Sequence, residues 1–274
     1  MTSLPDCETL VVALSGSTLF ITLNRPETKN ALSDQMVREL TALCALLEGT
    51  RDIRAVVLRG SEGCFCAGGD ISIFKESLST PPPTDDGRDP LAIKNKRFGN
   101  FLIRLQAIPQ VLIAVVEGVA FGGGLGLVSV TDVALCHADA RFALSETGLG
   151  ITPSQIAPFV VQRVGLTATR HLALTGHRFD GRHAEKIGLV HTVASDREAL
   201  EKALSQTLKE IGRCAPGANA ETKRILMNTM TMPLDDVLDD AADAFVVQLR
   251  GAEGQEGVAA FLEKRPAAWT EQDP

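Results

Sequence analysis

Basic charge is what this sequence lacks first. Lysine and arginine number 27 against 34 aspartates and glutamates, a formal charge of −7. Nucleic acid and anionic membranes both call for a basic face, so neither is expected as a partner. Uninterrupted apolar runs stay well short of the roughly 18 residues of a spanning helix, and no membrane segment is expected. The opening "MTSLPDCETLVV" has no basic segment and reaches Asp6 and Glu8 at once, unlike a secretory signal. The six cysteines (Cys7, Cys44, Cys64, Cys66, Cys136 and Cys214) are scattered, and Cys64-Phe-Cys66 lacks metal-knuckle spacing. That pattern reads as reduced thiols in a cytoplasmic protein. Five histidines form no HExxH pair, so no metal is expected.

What is present is the balance of a globular chain, 45% apolar and 22% charged over 274 residues, ample for a large core. "LVVALSGSTLFITLN" (10–24) reads as a hairpin around Ser15-Gly16-Ser17, stopped by Arg25-Pro26. Ser33 offers an N-cap to a helix whose Met36, Val37, Leu40, Leu43 and Leu47 form one apolar stripe, with Gly49 as its stop. "AVVL" (55–58), "VLIAVVEG" (111–118) and "VALCH" (133–137) read as short buried strands. "LSTPPPTDDGRDP" (78–90) reads as a mobile surface insertion leading into a helix near 91–106. Helical patterns follow at 155–164, 167–175, 183–188, 196–213, 218–230 and 234–250. Strand and helix alternate first and helices come last, which predicts a parallel α/β core over 1–200 and a helical region over 201–274. Apolar residues in the terminal "GVAAFLEKRPAAW" suggest burial on another subunit.

Two stretches share one form, an apolar strand, a turn of small residues, then a helix: "AVVLRGSEGCFCAGGDI" and "VLIAVVEGVAFGGGLGL". Such turns leave backbone N–H groups free, and glycine lets a ligand come close to them. Facing each other, they would make two donors for a developing oxyanion. Close helix–strand packing without a ligand is the plainer reading of either turn alone. Neither fits GxxxxGK[ST], nor GxGxxG with a suitably placed acid, so nucleotide binding is set aside.

Together with "ARFALSETGLGITPS", "LALTGHRFDGRHAEKIGLV" and "AFLEKR", these turns resemble the enoyl-CoA hydratase/isomerase (crotonase) superfamily from Asn24 to Arg265. The resemblance implies a core of repeated ββα turns with a C-terminal helical region for trimerisation. It implies acyl-CoA substrates, with CoA part of the substrate and no separate cofactor, and trimers that often pair into hexamers. It makes Gly69 and Gly123 the oxyanion donors, and these small residues let a thioester oxygen come within about 3 Å of main-chain nitrogen. It makes Glu146 the one remaining acid, in the apolar company of Phe142, Leu144 and Leu149, while Gly126 stands where the family's hydratases carry another glutamate. Asp70 reads as a cap or turn residue. For CoA the resemblance implicates Glu27, Lys29, Ala67 and Ile71, and Lys264 for the phosphates, with Glu27 where the family often has lysine.

One acid suffices for double-bond isomerisation, which favours an isomerase on chemistry alone. A finer resemblance, in "GGGLGLVSVTDVAL" and "QIAPFVV", points to the subgroup hydrating 3-methylglutaconyl-CoA or isohexenylglutaconyl-CoA in leucine or acyclic-terpene breakdown, which also carries that glycine. Ser154 or Gln155 could then help place water. A distal substrate carboxylate would want a cation, with Arg88, Lys94, Lys96 and Arg97 as candidates. Ser154 replaces the aspartate of dienoyl isomerases and dehalogenases, which weakens those chemistries, while decarboxylation and retro-Claisen cleavage stay open. A catalytically weak CoA-binding subunit is the reading from another class.

Overall fold

The computed structural model describes residues 4–70, 75 and 87–270. Ile71 and positions 78–86 of the proline-rich stretch lie outside the described residues.

The opening hairpin forms from β1 (Leu10–Ser15) and β2 (Thr18–Leu23), antiparallel with Leu10 opposite Leu23. β3 (Ala55–Gly60), β4 (Val111–Val116), β6 (Val133–His137) and β9 (Thr192–Ala194) then add in parallel, in the order β1-β2-β3-β4-β6-β9. Both faces of the central strands are buried. Val56, Leu58, Leu112 and Ala114 pack into one core, while Val57, Ile113, Val115 and Leu135 face a second under Leu200 and Leu204. This explains why these strands read as continuous apolar runs rather than alternating ones. A second sheet of three short strands, β5 (Val119–Phe121), β7 (Arg141–Ala143) and β8 (Arg178–Asp180), escaped the sequence reading, because three-residue strands carry no measurable period.

Helix α1 (Asp34–Glu48) starts as expected: the Ser33 hydroxyl accepts from the Met36 amide, and the apolar stripe is buried. α2 (Pro90–Gln106) is capped by Asp89, whose carboxylate accepts from the Leu91 amide. α3 (Gly123–Ser129) is nearly all buried. α4 (Ala157–Thr175) breaks at Gly165, at φ +78°, matching the two helical segments read from the sequence. α5 (Gly181–Lys186) and α6 (Arg197–Gly212) follow, and α6 spans the division at residue 200. The last third is helical: α7 (Pro216–Asn228), α8 (Leu234–Arg250) and α9 (Ala252–Glu263).

Two cations, one buried and one half-buried, tie this region to the sheet. Arg54, 8% exposed, donates to the carbonyls of Ile211, Gly212, Cys214 and Trp269 at 3.2, 2.9, 2.6 and 2.9 Å. Lys223 reaches Asp132 at 2.7 Å. α8 and α9 nonetheless leave large apolar side chains in solvent, Phe245, Val247, Phe261 and Leu262 among them.

Candidate active site

The two glycine turns lie side by side. The Phe65 amide donates to the Glu117 carbonyl at 2.8 Å, Cys66 to Val119 at 2.8 Å, and Phe121 to Cys66 at 3.0 Å. Gly68 follows at φ +103°, where a Cβ would stand 3.0 Å from the Phe121 carbonyl oxygen, so only glycine fits. On the other flank Leu32 bridges to Gly69. Its amide donates to the Gly68 carbonyl (2.8 Å) and its carbonyl accepts from the Asp70 amide (3.1 Å). Adjacent peptide groups of extended chain point to opposite sides, so the Gly69 N–H is directed away from Leu32. Gly123 opens α3, and its N–H precedes the first helical bond, Gly126 to Gly122 at 3.0 Å. Among the described residues nothing accepts from either nitrogen. The turns converge: a Cβ on Gly123 would lie 3.8 Å from the Gly69 nitrogen, and one on Gly68 would lie 3.7 Å from the Gly123 nitrogen.

Glu146 follows β7 in a 3-10 turn, Glu146–Leu149. Its Oε1 stands 2.7 Å from the notional Cβ of Gly122, and its Oε2 is buried with no hydrogen-bond partner among the described residues. Burial pushes this carboxyl above its usual range, with the amides of Glu146 and Ser145 offsetting part of the effect. Phe142 and Leu144 are fully buried nearby, but Leu149 is 65% exposed and takes no part in the apolar setting expected of it.

Gly69, Gly123 and Glu146 all line one cavity of about 980 Å³, walled by α1, α2 and the loop 151–156. Ser154 and Gln155 line it too, and so do Lys94 and Arg97, whereas Arg88 and Lys96 do not. Lys94 is engaged by Asp34 at 2.8 Å; among the described residues no carboxylate pairs with Arg97. Asp70 pairs with Arg25 at 2.9 Å, a contact that braces the first turn.

The place of the absent acid is filled. A Cβ on Gly126 would collide with Ile156, which is 4% exposed, and would come 3.6 Å from Leu102.

Of the residues expected around CoA, the structure joins two, the Ala67 amide donating to the Lys29 carbonyl at 3.0 Å. Glu27 is exposed, 3.7 Å from the Arg25 Nε. Lys264 ends α9 in the left-handed region at φ +53° and does not line the cavity. Sequence reasoning missed Asn30, fully buried at φ +55°, whose side chain donates to the carbonyls of Ser61 and Cys64 and accepts from the Arg25 amide. Asparagine tolerates that conformation, and its place at the end of "NRPETKN" was the available signal. Phe98, whose Cζ stands 3.5 Å from the notional Cβ of Gly123, carried no local signal.

Known proteins bear on this geometry. The model of the Enoyl-CoA hydratase/isomerase family matches residues 14–272. Pseudomonas aeruginosa AtuE superposes with a TM-score of 0.91 at 49% identity, over 96% of this chain and 100% of that one. An enoyl-CoA hydratase/isomerase from Marinobacter aquaeolei gives 0.92 at 45%, with the same coverage. Enoyl-CoA hydratase ACTT6 of Alternaria alternata is 32% identical over 252 residues, 91% of this chain and 80% of that protein. With this fold and the matched length, the chain belongs to the enoyl-CoA hydratase/isomerase family.

Proposed function

We propose that this protein adds water across the double bond of an α,β-unsaturated acyl-CoA, with a branched glutaconyl-type acyl group such as 3-methylglutaconyl-CoA or isohexenylglutaconyl-CoA, in leucine or terpene breakdown. The observation that carries the reading is the meeting of the Gly69 and Gly123 nitrogens with the Glu146 carboxylate in one cavity.

The chemistry follows from the groups in place. The thioester oxygen accepts from both amides, which polarises the conjugated C2=C3 bond. Glu146 takes a proton from water as the water oxygen bonds to C3. The π electrons move to C2 and the thioester oxygen, giving an enolate held by the two N–H groups. Glu146 then returns the proton to C2, so H and OH are added and nothing is oxidised. Burial keeps its proton affinity high enough for both steps. Arg97, on the cavity wall and paired with no carboxylate among the described residues, supports an acyl group ending in a carboxylate. Backbone oxygens near Lys29 and Ala67 would hold the adenine end. The exposed apolar faces of α8 and α9 support a trimer or a dimer of trimers, in which Lys264 would reach a neighbouring subunit's CoA phosphates.

The filling of the Gly126 site by Ile156 favours one second reading, an isomerase that moves a proton from C2 to C4 with Glu146 alone. Incubation with 3-methylglutaconyl-CoA decides: the conjugated-thioester absorbance should fall as a 3-hydroxyacyl-CoA, 18 mass units heavier by the mass of water, accumulates. A shifted double bond with no added mass would establish the isomerase, and binding without turnover a CoA-binding subunit.

A further inference from the structure

The hydratase reading leaves water held by one carboxylate, and a single acceptor does not orient an attacking lone pair. Three consecutive residues of the loop before α4 grip one face of α2 at helical spacing. Ser154 donates its hydroxyl to Asn95 at 3.0 Å. Gln155 lies on Gly99, whose notional Cβ would collide with Oε1 and stand 3.3 Å from Cδ. Ile156 covers Gly126, which Leu102 of α2 also approaches, and both side chains belong to one core. Two landmarks tie the surroundings of Gln155 to the Gly123 turn and to Glu146. Gly99 follows Phe98, which reaches within 3.5 Å of the notional Cβ of Gly123. Gly126, under Ile156, lies four residues, about 6 Å of helix rise, beyond Gly122, which faces Glu146. Gln155 lines the cavity, and among the described residues nothing bonds its carboxamide.

We infer that Gln155 holds the attacking water, its carboxamide taking the place of the absent acid from the adjoining loop. The inference rests on the hydratase reading. Glu146 removes one water proton while the Gln155 carboxamide accepts a hydrogen bond from the other O–H, aiming the oxygen at C3. A neutral amide suffices, because only one proton leaves the water and Glu146 carries it. Gly99 is required for this placement: any side chain there would push the carboxamide off α2.

The test separates water addition from proton transfer. Hydration of 3-methylglutaconyl-CoA is compared with exchange of the C2 proton of the saturated 3-methylglutaryl-CoA in D2O, which needs Glu146 and the two amides but no attacking water. Q155L should lower the hydration kcat about tenfold or more, as loss of one oriented hydrogen bond implies, and leave exchange near the wild-type rate. G99A, which favours the helix and displaces only a side-chain end, should do the same with Gln155 intact. Q155L hydrating at the wild-type rate, or both reactions falling equally, would overturn the inference. A wild-type enzyme that exchanges C2 protons but adds no water would overturn the hydratase reading and this inference together.

Discussion

Glu146 Oε1 lies 2.7 Å from the point that a Cβ on Gly122 would occupy, and Gly122 itself holds φ +49°, ψ −116°. The acid and the turn that presents Gly123 are therefore packed against each other through a missing side chain. G122A should strain the turn by about 1–3 kcal/mol and displace the carboxylate. A misplacement near 1 Å lowers turnover about hundredfold. Thermal unfolding and kcat measured on the same preparation check both effects.

E146Q should lower hydration by about 10²–10⁴-fold while CoA affinity by calorimetry stays unchanged. Burial raises the folded-state value above the ordinary 4.5, so the ionised carboxylate costs the fold stability. That cost is absent below the unfolded value and grows as pH rises through the folded one. E146Q should then unfold at a higher temperature than the wild type at pH 8, with the gap closing below about pH 4.5. The wild-type kcat/KM should fall as pH drops through the raised value, because the base must be ionised.

Glu39 has the opposite sign. It is 8% exposed and accepts from the amides of Glu8 (2.9 Å) and Thr9 (3.1 Å), the Thr9 hydroxyl (2.6 Å) and Gln35 (2.7 Å). Burial raises its carboxyl, but these donors together take it below the ordinary 4.5. Its contribution is present above that value and lost as pH falls through the lower folded one. E39Q should cost about 1–3 kcal/mol in urea unfolding at pH 7, and less at pH 3.

If Arg97 receives the distal carboxylate, R97M should raise KM for 3-methylglutaconyl-CoA by about tenfold or more and leave KM for crotonyl-CoA, which has no such group, nearly unchanged. Equal effects on both substrates would remove Arg97 from that role.

Much of the layout was legible because it is local. The Ser33 cap, the stripe from Met36 to Leu47 and the break at Gly165 depend on neighbours within a few residues, and each appears where the sequence placed it. Four cations after the proline-rich stretch looked equivalent, by contrast, and only packing put Lys94 and Arg97 on the cavity and spent Lys94 on Asp34. Leu149 reads as apolar company for Glu146 and is instead largely in solvent, since a left-handed Gly150 turns the chain there.

The sequence by itself determined the alternation of strands and helices and the two glycine turns, all properties of short segments. Tertiary structure alone decided that the Gly69 and Gly123 turns lie against each other, that Ile156 occupies the space beside Gly126, and that Gln155 rests on Gly99. Those are contacts between residues far apart in the chain. Close packing sets them, and each depends on atoms that no local pattern encodes.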